Sequence, residues 1–176
     1  MSETRKGEVT FKGNPIDLAG PKLKVGDKAP DFTCVGQGLA MTKLSDTGKK
    51  ARLFNVVPSL DTPVCNTQTH RFAKELQALG DKVDAYTVSL DLPFAQARFC
   101  TEGKIENIKN LSDVHNQSFG KNYGVLIEGL PIPLLARAVF VVDPSNTIQY
   151  VEIVPEIVQE PNYEPALAAL KKAVGA

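Results

Sequence analysis

An α/β fold with a mixed central sheet flanked by helices is what the sequence predicts, and three observations predict it. Short continuous apolar runs, R-L-F-N-V-V (Arg52 to Val57), V-D-A-Y-T-V-S-L (Val83 to Leu90) and A-V-F-V-V (Ala138 to Val142), read as strands covered on both faces. Between and after them, apolar residues recur at helical spacing. The third run passes through D-P-S-N into T-I-Q-Y-V-E-I-V, the signature of a β-hairpin. Strand–helix–strand alternation followed by a hairpin and a closing helix is the pattern of an α/β sandwich.

Taken in order, V-T-F-K-G-N-P-I-D-L alternates apolar and polar residues on both sides of Gly13-Asn14, which predicts a small N-terminal hairpin standing as an appendage before the main fold. The strand at Arg52 to Val57 follows. Cys65 to Leu79 is predicted helical because Phe72, Leu76 and Leu79 repeat at spacings of four and three. After the strand at Val83, Asp91 is suited to cap and Pro93 to start a short helix bearing Phe94 and Phe99 and ending at Cys100. Glu164 to Val174, with Leu167, Leu170 and Val174, closes the chain as a helix.

The chain has 176 residues, a length that suits one domain, and no repeat, low-complexity tract or linker divides it, so residues 1–176 are read as a single domain. Lys plus Arg equals Asp plus Glu, which removes the broad positive surface of a nucleic-acid binder. The N-terminus M-S-E-T-R-K-G-E-V-T lacks the apolar stretch of about 7–15 residues that a secretory signal needs, and no run is long enough to span a bilayer. The expectation is a cytoplasmic protein that engages neither membrane nor nucleic acid. Cys34, Cys65 and Cys100 are odd in number, far apart and free of any C-x-x-C pair, against both a disulfide framework and a zinc site.

Cys65 has the setting of a nucleophile. Asp61 or Thr62 is suited to the N-cap and Pro63 to the first helical position, so the cysteine falls in the first turn. Free thiols ionise at about 8.5, and a helix N-terminus or nearby cation favours the reactive thiolate. The helix end supplies roughly 0.3–1 kcal/mol, about 2 when partly buried, so a large effect also needs a full charge. Arg137, at the mouth of the apolar run in L-L-A-R-A-V-F-V-V, is the candidate; the alternative is a strand-entry charge facing water.

P-S-L-D-T-P-V-C resembles the P-x-x-x-T-x-x-C signature of the peroxiredoxins, with Pro58, Thr62 and Cys65 at its fixed positions. F-K-G-N-P-I, D-L-P-F-A-Q-A-R-F-C, L-A-R-A-V-F-V-V-D and E-P-N-Y-E-P-A-L-A-A-L resemble the thiol peroxidase branch, the atypical two-cysteine peroxiredoxins, so the similarity spans nearly the whole chain. The resemblance implies a thioredoxin-like fold and reduction of hydrogen peroxide or organic hydroperoxides. It implies a peroxidatic Cys65 that becomes a sulfenic acid, a resolving Cys100 that forms an intramolecular disulfide with it, and thioredoxin as the reductant. It further implies Thr62 and Arg137 as donors to the thiolate and peroxide, Pro58 as a shield of the sulfur, and a homodimer. The reaction needs no metal or flavin, and the sequence has neither a ligand cluster nor a dinucleotide glycine motif.

C-N-T-Q-T-H-R also satisfies the C-x-x-x-x-x-R spacing of cysteine-dependent phosphatases through Arg71, but without glycines to wrap a phosphate. A redox relay that passes oxidation to a partner protein would use the same thiols. Cys34 reads as a packing residue, His70 and His115 as solvated or locally bonded, and Phe54 and Leu135 as candidate pocket walls.

Overall fold

The computed structural model describes residues 3–175. Ten strands and four α-helices follow in the order β1 (Thr4–Phe11), β2 (Asn14–Ala19), β3 (Thr33–Val35), β4 (Met41–Lys43), β5 (Ala51–Val56), α1 (Pro63–Leu76), β6 (Val83–Ser89), α2 (Pro93–Gly103), β7 (Lys109–Ser112), α3 (Ser118–Asn122), β8 (Leu126–Glu128), β9 (Ala138–Val142), β10 (Ile148–Ile153) and α4 (Tyr163–Ala173). A seven-stranded mixed sheet runs β10-β9-β5-β6-β7-β3-β4, with β5, β6 and β7 parallel and the other pairs antiparallel. No helix among the described residues is long and apolar enough to cross a membrane.

The apolar runs are continuous because both faces of the sheet are covered. In β5, Leu53 points into a core shared with α1 and α4, and Phe54 and Val56 point into the opposite one. In β9, Val139 and Val141 face the helices while Ala138, Phe140 and Val142 face away. Phe32, Phe54, Phe119, Tyr123 and Phe140 form an aromatic cluster in that second core. Burying such side chains contributes roughly 1.5–3 kcal/mol each.

The predicted core strands, the β9–β10 hairpin and the closing helix are all present. Helix α1 starts at Pro63 and stops at Leu76, and a 3-10 segment over Gln77–Lys82, broken at Gly80, carries Leu79 into the core. Helix α2 continues past Cys100 to Gly103, and Leu92, not Asp91, is its N-cap.

The N-terminal hairpin is not an appendage. Its turn is Lys12-Gly13, one residue earlier than expected, with φ of 49° and 81°, the left-handed pair a tight hairpin requires. Strand β2 also pairs with β8, and Val9, Ile16, Leu18 and Ala19 are buried in the aromatic-side core. Strand β1 binds the segment after β10: Thr10 donates its amide to the Pro155 carbonyl at 2.7 Å, and Ile157 donates its own to the Thr10 carbonyl at 2.9 Å.

Candidate active site

The loop after β5 and the first turn of α1 hold Pro58, Thr62 and Cys65. Thr62 is the N-cap, with extended backbone, and Pro63 opens the helix, where its missing N–H costs nothing. The Thr62 carbonyl accepts the Asn66 amide at 3.0 Å. Its hydroxyl donates to the Ser59 carbonyl at 2.9 Å, so its proton fastens the loop instead of meeting the sulfur. Cys65 is the third helical residue and 0 % exposed, packed with Val57 and Leu60 and rimmed by Phe99. Pro58 is buried in the same loop.

Arg137 is 2 % exposed, which removes the solvent-facing alternative. Its Nε donates to the Ile157 carbonyl and its Nη1 to Gln68 Oε1, both at 2.7 Å. Gln68 lies three residues beyond Cys65 in α1 and therefore on the same helix face, so the guanidinium is drawn to the side of the helix that carries the thiol. Gln68 Nε2 donates to Asn55 Oδ1 at 2.5 Å, and Asn55 Nδ2 donates to Thr69 Oγ1 at 3.0 Å and Thr87 Oγ1 at 3.1 Å. Thr69 in turn donates to the Cys65 carbonyl at 2.9 Å. This buried chain of bonds runs from β6 through β5 and α1 to the arginine, and satisfied networks of this kind hold their members in one geometry.

Asp91 does a different job from the capping expected of it. Its carboxylate accepts from the Ser59 hydroxyl at 2.7 Å, the Leu60 amide at 2.9 Å and the Ser89 hydroxyl at 2.8 Å. It thereby ties the Cys65 loop to the connection that leads into α2. Cys100 is half-buried in α2, and its Sγ accepts from Asn110 Nδ2 at 3.1 Å. Burial pushes the Cys100 thiol up, and the Asn110 donor pulls it partly back. Phe99, not Cys100, packs against the Cys65 cluster, and all three thiols are free. Joining Cys65 to Cys100, each held in a helix, therefore requires local movement of α1, α2 or both.

Cys34 packs in the aromatic-side core and also donates to Asp113 Oδ1 at 3.6 Å; burial, reinforced by that carboxylate, pushes its thiol far up. Arg71 lies over the Tyr163 ring, 4.2 Å from its centroid, so it does not form a phosphate loop with Cys65. Phe54 and Leu135 are fully buried in the aromatic-side core and are not walls of the Cys65 site. His70 Nδ1 lies 3.0 Å from the Asn66 carbonyl and its ring edges Phe99; His115 is exposed in a turn. Gln68, Asn55 and Asn110 were not singled out from the sequence, and Asp91 and Phe99 were read there only as a helix cap and an apolar helix residue. Of the three that were missed, Gln68 has a signal in the sequence, a polar residue four positions before Phe72 on the apolar face of α1.

Residues 24–167 match the family model described as Redoxin. The chain is 51% identical to the thiol peroxidase of Halalkalibacterium halodurans, over 94% of this chain and 98% of that protein. It is 47% identical to the thiol peroxidase of Bacillus subtilis, over 95% and 98% respectively. The structure superposes on that of a peroxiredoxin-like protein from Aquifex aeolicus with a TM-score of 0.87 at 42% identity, covering 96% of this chain and 99% of that one.

Proposed function

The chain belongs to the Redoxin family, among its thiol peroxidases, and from that premise we propose that Cys65 is the peroxidatic residue and Cys100 the resolving one, within a single domain over residues 1–176. The observation that carries the reading is the buried cysteine in the first turn of α1 with a buried arginine bonded one turn further along the same face.

The Cys65 thiolate attacks one oxygen of the hydroperoxide. An S–O bond forms, the O–O bond breaks, and the leaving oxygen takes up a proton to depart as water or alcohol. Negative charge grows on that oxygen, so fixed donors aimed at it lower the barrier. Two of the three Arg137 nitrogens are held by Ile157 and Gln68, and Nη2 has no protein partner among the described residues, which leaves it for the reacting atoms. The first-turn amides of α1 add partial positive charge. Pro58, Val57, Leu60 and Phe99 keep water from the sulfur, and Thr62 sets the loop through Ser59.

Resolution follows when the Cys100 thiolate attacks the sulfenic sulfur: the S–S bond forms, the S–O bond breaks, and the departing hydroxide takes up a proton to leave as water. A thioredoxin-type reductant returns both thiols. We place the enzyme in the cytoplasm as a homodimer, in keeping with the resemblance in the sequence. The test is steady-state consumption of hydrogen peroxide and of cumene hydroperoxide with a thioredoxin reducing system. Turnover of both is expected, and turnover of neither would overturn the reading.

A further inference from the structure

Helix α2 places Phe99 and Cys100 half-buried against the helix-side core, and its other ties to the sheet are polar. Gln96 is its sole buried residue, whereas Leu92, its N-cap, is 54 % and Phe94 68 % exposed. An 11-residue helix has little stability of its own and depends on what it packs against. Gln96 Nε2 donates to Ser89 Oγ at 3.0 Å and to the Leu111 carbonyl at 3.1 Å. From β7 in return, Asn110 Nδ2 donates to the Gln96 carbonyl at 3.3 Å and to Cys100 Sγ at 3.1 Å. Asn110 Oδ1 is buried with no partner among the described residues, so both side-chain bonds of this residue go to α2.

A half-buried amide that leaves its buried oxygen unpaired is costly, and its two donor bonds converge on one of the two helices whose local movement would bring the sulfurs together. We infer that Asn110 is a latch: a positioning residue that holds Cys100 and α2 in the folded arrangement and so sets how fast the Cys65 sulfenic acid is resolved. The inference rests on the roles proposed above for Cys65 and Cys100. Resolution then competes with a second peroxide, which would carry the sulfenic acid to the irreversible sulfinic acid. A tight latch favours over-oxidation, and a loose one favours the disulfide. The latch thus fixes the peroxide concentration at which the enzyme inactivates.

Loss of the latch also has an opposing chemical effect. The Asn110 donor favours the Cys100 thiolate, so without it Cys100 ionises at higher pH. The mechanical effect is therefore read under alkaline conditions, where the thiol is ionised in both proteins.

The test compares wild type with Asn110→Leu, which keeps bulk, and Asn110→Ala, using hydrogen peroxide and stopped-flow detection of each step. Both variants are expected to form the disulfide about 5- to 30-fold faster at alkaline pH, the change that one or two lost hydrogen bonds make in a local equilibrium. The rate of the first oxidation is expected to stay at the wild-type value. The peroxide concentration giving half over-oxidation of Cys65, read by mass spectrometry, should rise by the same factor, as should amide exchange in α2 but not in α1 or α4. Unchanged or slower resolution in both variants, or loss of the first oxidation in both, would overturn the latch. Peptide mapping of oxidised wild type separates the premise: absence of a Cys65–Cys100 bridge would sink the proposed roles and the latch together, whereas a bridge formed equally fast in all three proteins would sink the latch alone.

Discussion

Replacing Gln68 with Met keeps the length and bulk of a fully buried side chain but removes both ends of its hydrogen-bonding amide. Two buried groups lose a partner at once: Arg137 Nη1 loses its 2.7 Å acceptor and Asn55 Oδ1 its 2.5 Å donor. An orphaned neutral group costs about 1–3 kcal/mol and a charged one more, so the variant should lose roughly 3–5 kcal/mol, a large part of the 5–15 kcal/mol typical of a domain. Asn55 keeps its bonds to Thr69 and Thr87, and Arg137 keeps Ile157, so the fold should survive. With one of its two anchors gone, the guanidinium shifts. A misplacement of about 1 Å costs on the order of 100-fold, so peroxide reduction should slow by about 10- to 100-fold. Denaturant unfolding measures the first quantity, and stopped-flow oxidation of pre-reduced protein the second. A destabilised variant that reduced peroxide at the wild-type rate would refute the reasoning, because it would show that the Ile157 carbonyl positions Arg137 unaided.

Arg137→Met should slow peroxide reduction by about 100- to 1,000-fold, the usual cost of removing one anion-stabilising donor, and alkaline pH should restore only part of the rate. Full restoration between pH 5 and 10 would confine the arginine to promoting ionisation. Cys65→Ser should abolish stoichiometric peroxide reduction, Cys100→Ser should retain it but lose thioredoxin-driven turnover, and Cys34→Ser should match wild type in both, with native Cys34 resisting iodoacetamide; peptide mapping and rapid kinetics check all three. Burial pushes Asp143 up, but hydrogen bonds from Ser145, Thr147 and Gln149 outweigh it and hold the carboxyl below its ordinary 3.8. The stability it contributes is present above that ordinary value and lost as pH falls through the lower folded one. Asp143→Asn should therefore cost about 1 kcal/mol at pH 7 and flatten the acid arm of the stability curve, as denaturant titrations at stepped pH would show.

What the sequence revealed follows burial. Strands covered on both faces carry continuous apolar runs, so β5, β6 and β9 could be read directly, and α1 and α4 showed their helical repeat. Strands β3, β4, β7 and β8 have only three or four residues each, too short for any period to register. Cys65 and Arg137 stood out because a thiol in a capped first turn and a charge beside an apolar run are unusual. Gln68 and Asn55 did not, and Asp91 was read only as a cap, since each is an ordinary polar residue whose importance lies in partners 13 to 69 positions away. Thr62 illustrates the remaining gap: spacing located it at the helix start, but its hydroxyl had several possible acceptors within reach, and geometry selected Ser59.

The N-terminal hairpin has a consequence for the order in which the protein becomes reactive during synthesis. Its Thr10 carbonyl holds the Ile157 amide, and the Ile157 carbonyl holds Arg137, so the cation bonded to Gln68 on the Cys65 face of α1 depends on a clasp between the two ends of the chain. Contacts this distant in sequence form late, because loop closure must precede them. At a translation rate of about 5–20 residues per second, Cys65 leaves the ribosome several seconds before Ile157 does. Throughout that interval Arg137 lacks the Ile157 anchor that the folded chain gives it. On the roles proposed for Cys65 and Arg137, peroxide sensitivity would be conferred by the completed fold, and the unfinished chain would be spared oxidation at the residue that later seeks it.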